Sequence, residues 1–325
     1  MRIGVIGAGA WGTALAQTAA VGGEVLLWAR DPAIAEAINR SRRNDAYLPG
    51  VAVDPAIRAT SALGDLAACD ALLMVTPAQF VRGVLERLPS GNAPLILCAK
   101  GIEAGTGLLM SEVALAVRPG APIAVLSGPS FAHEVASGQP TALTLACGDG
   151  TTRRALANRL ARPAFRLYGS ADVVGAEIGG AVKNVLAIAC GVVEGMGLGQ
   201  NARAALISRG FAEMTRFGIA RGARPETLAG LSGLGDLVLT CSSHSSRNFS
   251  LGAGLGHGAR AADLLADRRT VAEGAFTAPV LLREAARAGV EMPIVAAVCA
   301  LLKGDAAADQ VVDALLARPL RSEGG

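Results

Sequence analysis

The first twenty residues contain the feature that most restricts the fold. A short apolar run at 3–6 leads directly into Gly7, Gly9 and Gly12, and a helical stretch follows. The spacing G-x-G-x-x-G between a strand and a helix is typical of a dinucleotide-binding turn. Gly7 allows a tight turn, Gly9 lets a pyrophosphate approach the main chain, and Gly12 lets the helix pack closely on the strand. In a chain with 41 glycines, an ordinary glycine-rich turn is the alternative.

The N-terminal segment also has the pattern of a secretory signal peptide, because Arg2 precedes an apolar stretch that ends in small residues. Three glycines in that stretch disfavour a hydrophobic helix, so we favour the strand and turn. The six cysteines form no C-x-x-C pair and the three histidines are scattered, so we expect neither disulfides nor a metal. These observations predict a cytoplasmic protein with reduced thiols. They predict no integral membrane segment either, since we find no run of about 18 uncharged apolar residues.

The amino-acid composition excludes several other classes of protein. A chain of 325 residues is long enough for about two domains. With 51% hydrophobic and 18% charged residues the chain is not a disordered protein. The net charge of +3 is too small, and too evenly spread, for a nucleic-acid-binding protein.

Strand and helix patterns alternate through the first half of the chain. We predict strands at 3–6, 24–28, 71–75, 95–99, 123–127, 142–146 and 165–168, with helices between them at 78–88, 108–117 and 152–160. Runs that are apolar on both faces are typical of parallel strands covered by helices. This alternation predicts the α/β class, with a Rossmann-like doubly wound sheet.

The strand patterns stop after Gly169, and an all-α domain is predicted to follow. One long helix is expected over 171–217, and shorter ones at 261–265, 276–288, 294–303 and 307–316. We therefore predict a dinucleotide-binding domain over 1–178 and a helical, substrate-binding domain over 179–325.

The end of the second predicted strand bears on the choice of cofactor. An NAD site usually places a carboxylate there for the ribose 2′-hydroxyl, whereas an NADP site offers an arginine. Arg30 falls near this position and Asp31 follows it. Arg30 favours NADP(H), Asp31 leaves NAD(H) open, and a solvated loop charge is the alternative for Arg30.

Lysine is rare in this chain. Of 30 basic residues only Lys100, Lys183 and Lys303 are lysines. Lys100 follows a predicted strand, as do Gly128 and Ser130, and ligands of open α/β sheets bind beyond the carboxyl ends of strands. Lys183 lies in an apolar helix, where a desolvated amine has a lowered pKa and can exchange protons near neutrality. A surface lysine remains the alternative for Lys183, and we assign no role to Lys303.

Two polar segments follow in the helical half. Asp236 is the one carboxylate in an uncharged run and could pair with a lysine, or could cap a helix. Residues 243–248 combine hydroxyls, Arg247 and an amide, which suits a phosphate because arginine offers two parallel donors. A polar surface loop is the alternative for this segment.

Taken together, these motifs carry a resemblance. In order, the sequence contains GAGAWGTALA, VTPAQ, CAKGIE, LSGPSFAHEVA, GGAVKNVLAIA, GLGQNARAALISRG, GLGDLVLTC, SSRN and VAEG. The set resembles the NAD(P)-dependent glycerol-3-phosphate dehydrogenases of the bacterial soluble type. The matching motifs span Gly7 to Glu273, and GVEMP at 289–293 extends the match.

The resemblance implies roles for individual residues. The catalytic residues would be Lys183, as general acid/base, with Lys100 and Asp236. The substrate would be bound by Lys100, Gly128, Ser130, Lys183, Asn184, Asp236, Thr240, Ser246, Arg247 and Asn248. The cofactor, NADP(H) or NAD(H), would be bound by Gly7, Gly9, Ala10, Trp11, Gly12, Arg30, Lys100, Ala132, Arg247, Val271 and Glu273. The family usually has Phe or Tyr at Trp11 and often Ser at Ala10, so this chain would lack a hydroxyl contact to pyrophosphate and keep a main-chain N–H.

By the same resemblance, the reaction is the reversible reduction of dihydroxyacetone phosphate to sn-glycerol 3-phosphate. Lys183 would protonate the developing alkoxide, and Arg247 with the Asn248 N–H would bind the phosphate. The product would supply glycerophospholipid synthesis, and the enzyme would be a homodimer. Two alternatives remain open: another β-hydroxyacid-type dehydrogenase of the same layout, and a nucleotide-sensing module without catalysis.

Overall fold

The computed structural model describes residues 1–266 and 272–317. Eight strands form one sheet in the order β10-β9-β8-β7-β6-β1-β2-β5, and β3 pairs with β4 in a separate hairpin. The strands are β1 Ile3–Ile6, β2 Val25–Trp28, β3 Arg43–Asn44, β4 Leu48–Ala52, β5 Ile57–Thr60, β6 Ala71–Met74, β7 Leu95–Leu97, β8 Ile123–Ser127, β9 Thr141–Cys147 and β10 Phe165–Ser170. Every neighbouring pair in the large sheet is parallel except β8 with β9.

Helices cover both faces of this sheet, which is why its central strands are apolar throughout. Side-chain caps fix where two of them begin: Asp31 accepts a hydrogen bond from the Ala33 N–H, and Asp149 accepts from the N–H groups of Thr151 and Thr152. The helices are α1 Ala10–Ala20, α2 Pro32–Ser41, α3 Val81–Arg87, α4 Met110–Val117, α5 Ala132–Ala136 and α6 Gly150–Leu160, with 3₁₀ turns at Leu63–Ala68 and Ala78–Phe80.

After β10 the described chain is helical. The helices are α7 Val173–Gly195, α8 Gly199–Ala220, α9 Pro225–Leu228, α10 Asp236–Cys241, α11 Arg247–Gly256, α12 Ala261–Leu264, α13 Glu273–Arg287, α14 Pro293–Lys303 and α15 Ala308–Leu316, and a π-helical turn at Leu231–Gly235 precedes α10. Helix α7 lies at the centre of the hydrophobic core of this half. The predicted fold class, a Rossmann-like sheet followed by a helical region, is confirmed.

The structure corrects the sequence predictions in several places, and it adds α9, α10 and α11 to the predicted helices. The single helix expected over 171–217 is two helices, because Gly197 and Gly199 adopt φ angles of +68° and +87° that end α7 and turn the chain. Strands β3, β4 and β5 were not predicted, since β3 has two residues and β4 contains a proline and a glycine. Strand β9 is antiparallel to β8, so the sheet is not wholly parallel.

One helix among the described residues, α7, is long and apolar enough to cross a membrane. Of its apolar 18-residue window, 89% is buried inside the protein. This burial places α7 as a core helix. All six cysteines are buried free thiols.

Candidate active site

The glycine-rich turn between β1 and α1 has the geometry that its spacing predicts. Gly7 has a φ of +120°, which a side chain would strain. A Cβ on Gly12 would lie 1.7 Å from the Gly7 carbonyl oxygen, so helix and turn touch there. A Cβ on Gly9 would meet no atom within 4 Å. The turn is therefore close-packed on the protein side and open at Gly9, as a pyrophosphate-binding turn requires.

The neighbouring end of β2 lies against this turn. The Gly7 N–H donates to the Trp28 carbonyl over 3.0 Å, and Arg30, two residues further on, is exposed. Ala10 and Trp11 form the first turn of α1, whose N–H groups lack acceptors within the helix. Asp31 is engaged as the cap of α2. Arg30 and Asp31 are thus both exposed at this strand end, and Arg30 is the residue type suited to a 2′-phosphate.

A compact ionic cluster joins the sheet to the helical half. Lys183 Nζ on α7 donates to Asp236 Oδ1 over 2.8 Å and to Thr240 Oγ1 over 2.7 Å. Lys100 Nζ, from the chain beyond β7, donates to Asp236 Oδ2 over 2.6 Å. Each oxygen of the one carboxylate thus receives one ammonium group, and Asp236 is a charge partner rather than a helix cap.

Burial sets the electrostatics of this cluster. Asp236 is 1% exposed and Lys183 is 7% exposed. Desolvation is the largest influence on Lys183 and lowers its pKa from 10.5 to about 8, assisted by the positive charge of Lys100 and opposed by Asp236. Burial raises the pKa of Asp236, but the two lysines outweigh it, so that its pKa is lowered overall. Asp236 therefore stays ionised while Lys183 titrates close to neutrality.

The carboxyl ends of two neighbouring strands, β7 and β8, carry the other contacts of Lys100. Lys100 Nζ donates a second hydrogen bond, of 3.2 Å, to the Gly128 carbonyl beyond β8. The Ser130 hydroxyl donates to the same carbonyl oxygen over 3.1 Å. Gly128 has a φ of +149° and packs against Leu143, which leaves no room for a side chain. Lys100, Gly128 and Ser130, which were predicted at these strand ends, thus lie together in the structure.

Amide side chains connect the cluster to two helix N-termini. Asn248 Nδ2 on α11 donates to Asn184 Oδ1 over 3.0 Å, and Asn248 Oδ1 accepts from the Gly274 N–H of α13 over 2.9 Å. Ser246 caps α11 by accepting from the Phe249 N–H. The predicted phosphate segment is therefore a turn over residues 243–246 that leads into α11, and Arg247 is the exposed first residue of this helix.

Glu273 begins α13 and contacts the sheet half of the protein. Its Oε1 accepts from the Ala78 N–H over 3.2 Å. Burial raises the pKa of Glu273, an effect that the charges of Arg247, Lys100 and Lys183 partly offset. Ala132, also predicted to contact cofactor, is the first residue of α5 and is half-buried. Val271 lies outside the described residues.

The sequence analysis missed two side chains that hold these loops. Gln79 Nε2 donates to the Ile102 carbonyl and Gln79 Oε1 accepts from the Ala104 N–H, both over 2.8 Å, which fixes the loop that follows Lys100. Asn44 Nδ2 donates to the Ala8 carbonyl in the glycine-rich turn. The motif VTPAQ contains Gln79 and could have indicated it; Asn44 lies in the unpredicted hairpin and carried no signal.

The first half of the chain has a dinucleotide-type turn on a Rossmann-like sheet, and the helical second half has a buried lysine. This combination defines the class of two-part nicotinamide-dependent dehydrogenases. Models of the N-terminal and C-terminal parts of NAD-dependent glycerol-3-phosphate dehydrogenase match residues 2–153 and 172–313. This chain belongs to the NAD-dependent glycerol-3-phosphate dehydrogenase family.

Relatives match over nearly the whole chain. A protein of Novosphingobium aromaticivorans named glycerol-3-phosphate dehydrogenase [NAD(P)+] is 63% identical, over 99% of this chain and 98% of its own length. One of the same name from Erythrobacter litoralis is 62% identical over the same shares of both chains. A crystal structure of glycerol-3-phosphate dehydrogenase from Coxiella burnetii superposes with a TM-score of 0.94 at 37% identity, covering 98% of this chain and 99% of that one.

Proposed function

We infer that this protein is an NAD(P)-dependent glycerol-3-phosphate dehydrogenase, which reversibly reduces dihydroxyacetone phosphate to sn-glycerol 3-phosphate. The observation that carries this inference is the shared carboxylate of Asp236, which binds both Lys100, from the chain beyond β7, and Lys183 in the helical half. The high identity to dehydrogenases of that name supports the same reaction.

Lys183 acts as the general acid in reduction. The carbonyl carbon would receive a hydride from the nicotinamide cofactor when it is bound, and the carbonyl oxygen must gain a proton. Asp236 and Thr240 accept two of the three N–H groups of the Lys183 ammonium, which leaves the third for the substrate oxygen. With a pKa of about 8 the ammonium can donate its proton near neutral pH, and the neutral amine can accept it back in the reverse reaction.

Lys100 and Asp236 prepare Lys183 for this role. The carboxylate holds the Lys183 amine in one position, and the positive charge of Lys100 helps to lower its pKa. Lys100 also has an N–H group beyond those bonded to Asp236 and Gly128, which it can direct at the substrate. Both positive charges stabilise the negative charge that develops on oxygen in the transition state.

The phosphate of the substrate binds at the start of α11. The N-terminus of this ten-residue helix offers N–H groups and positive potential to an anion. Arg247 adds a guanidinium group that can bind two phosphate oxygens. The remaining substrate contacts that we propose are Gly128, Ser130, Asn184, Thr240, Ser246 and Asn248.

The residues that would hold the cofactor follow the carboxyl ends of the strands. The open side of the turn at Gly9 accepts the pyrophosphate, with the N–H groups of Ala10 and Trp11 as donors. Arg30 binds the 2′-phosphate when NADPH is used. We assign Gly7, Gly12, Lys100, Ala132, Arg247, Val271 and Glu273 to the same site from the family resemblance.

We propose further that the domains are 1–178 and 179–325, although α7 crosses this boundary as one continuous helix. The end of β10 at Ser170 and the start of the second family match at 172 support a boundary nearby. We also propose that the protein is a cytoplasmic homodimer and that its product supplies glycerophospholipid synthesis.

Loss of nicotinamide absorbance in the presence of dihydroxyacetone phosphate tests this function. We expect oxidation of NADPH or NADH with this substrate, and little with dihydroxyacetone or with β-keto acids. Turnover of a β-keto acid but not of the triose phosphate would support the alternative dehydrogenase. Cofactor binding with no turnover of any substrate would support the nucleotide-sensing module.

A further inference from the structure

A buried amide from the β3–β4 hairpin contacts the glycine-rich turn. Asn44 is 2% exposed and Thr13, on α1, is 1% exposed. Asn44 Nδ2 donates to the Ala8 carbonyl over 2.9 Å and to Thr13 Oγ1 over 2.8 Å. The Thr13 hydroxyl in turn donates to the Gly9 carbonyl over 2.9 Å. Two consecutive carbonyl groups of the turn are therefore held by one chain of hydrogen bonds.

Because these two carbonyl groups are held in place, the N–H groups of the same peptide units also have a fixed direction. In a trans peptide the C=O and the following N–H point in opposite directions. The bond from Asn44 to the Ala8 carbonyl therefore turns the Gly9 N–H away from the hairpin. The Gly9 carbonyl accepts from both the Thr13 hydroxyl and the Thr13 main-chain N–H, each over 2.9 Å, and these two bonds direct the Ala10 N–H away from Thr13. Both N–H groups belong to the part of the turn that is open at Gly9.

A second side chain holds the hairpin to α1. Gln17 Nε2 donates to the Ala52 carbonyl over 3.2 Å, and Gln17 Oε1 accepts from the Asp54 N–H over 2.9 Å. Because Ala52 pairs with Arg43, the residue before Asn44, the Gln17 bonds hold the hairpin on α1 independently of Asn44.

We propose that Asn44, acting through Thr13, is a positioning residue that holds the Gly9 and Ala10 N–H groups in the direction needed to bind the cofactor pyrophosphate. The proposal rests on the NAD(P) dependence inferred above. Asn44 touches no reacting atom, and it acts only as a donor, because its buried Oδ1 has no partner in the described residues. Since NADH and NADPH share the pyrophosphate, removing this contact should weaken both cofactors equally.

Isothermal titration calorimetry with NADH and with NADPH, in the absence of triose phosphate, measures this effect. We expect Asn44→Ala to raise both dissociation constants by about tenfold, with kcat at saturating cofactor nearly unchanged. Asn44→Asp keeps the shape but loses the donor, and it should be at least as damaging. Thr13→Val should weaken binding by roughly threefold to tenfold, and Thr13→Ser, which keeps the hydroxyl, should restore it.

Asn39 provides the matched control. Its side-chain amide forms hydrogen bonds with both the N–H and the carbonyl of Ala59. Asn39→Ala therefore removes side-chain to main-chain hydrogen bonds in the same half of the protein, without removing a contact to the turn. We expect its cofactor affinity to match the wild type. Unchanged affinity in Asn44→Ala, or an equal loss in Asn39→Ala, overturns the positioning role while the proposed function stands. A wild-type protein that binds neither dinucleotide overturns both.

Discussion

The glycine-rich turn and the lysine–aspartate cluster are built in opposite ways. The turn is six consecutive residues, and the groups that we propose for cofactor binding are its main-chain N–H groups, which every residue type at Ala10 and Trp11 except proline would supply. The cluster joins side chains from separate elements, with Lys100 and Lys183 lying 136 and 53 residues before Asp236. Under the proposed function the comparison separates two roles: the turn is expected to determine how tightly the cofactor binds, and the cluster how fast the bound substrate reacts.

Removing the acid of the cluster should produce the largest effect. We expect Lys183→Ala to lower kcat by ~10²–10⁴-fold, because the developing alkoxide then has no positioned proton donor. Affinity for NADPH, measured by calorimetry, should stay close to the wild-type value. Lys183→Arg should also be slow, since arginine does not release its proton.

Lys303→Ala is the matched control, because this lysine is exposed at the end of α14. It should retain wild-type turnover. If Lys183→Ala weakened cofactor binding and left kcat intact, the division between turn and cluster would be wrong.

Arg247→Ala should have the next largest effect. Loss of one partner of a desolvated ion pair costs ~2–5 kcal/mol, which is about 30- to 4,000-fold in kcat/KM for the phosphorylated substrate. Part of the loss should appear in kcat, because phosphate binding also orients the carbonyl. Arg247→Lys should recover only part of the activity.

Dihydroxyacetone, which lacks the phosphate, sharpens this test. The wild type should reduce it poorly, and Arg247→Ala should change that residual rate far less than the rate with the phosphate ester. Equal losses with both substrates would assign Arg247 to the cofactor instead.

The two regions also differ in how far the sequence alone predicted them. The turn was predictable residue by residue, because its geometry follows from the local spacing of Gly7, Gly9 and Gly12. Lys183 could be singled out as a lone charge in an apolar helix, but its pairing with Asp236 depends on how α7 packs on α10. The sequence could not reveal that both lysines share that carboxylate, nor that Asn44 reaches the turn, since each contact is purely tertiary.

Substitutions at two glycines of the turn should have different effects, one on stability and the other on cofactor affinity. Gly12→Ala places a methyl group against the Gly7 carbonyl and should lower the free energy of unfolding by ~1–3 kcal/mol or more. Gly9→Ala adds its methyl group to open space and should fold normally, yet bind NADH and NADPH about tenfold more weakly. Thermal unfolding and calorimetry together distinguish these results. A Gly9→Ala protein with full cofactor affinity would contradict the position proposed for the pyrophosphate.

Arg30 tests cofactor selection with a smaller effect. Arg30→Ala should raise the KM for NADPH by about tenfold and leave the KM for NADH nearly unchanged, because only NADPH carries the 2′-phosphate. Steady-state kinetics with each cofactor measures the ratio. Equal changes in both constants would show that Arg30 does not bind that phosphate.

The pH dependence of kcat/KM in both directions tests the central claim that Lys183 transfers the proton. Burial lowers its pKa to about 8, so the ammonium form needed for reduction is lost above that pH and the amine form needed for oxidation is gained. For reduction we predict a fall approaching tenfold per pH unit above an apparent pKa of about 8. Oxidation should rise through the same pKa and then level off. A reduction profile that stays flat up to about pH 9.5 would contradict the assignment of Lys183 as the acid.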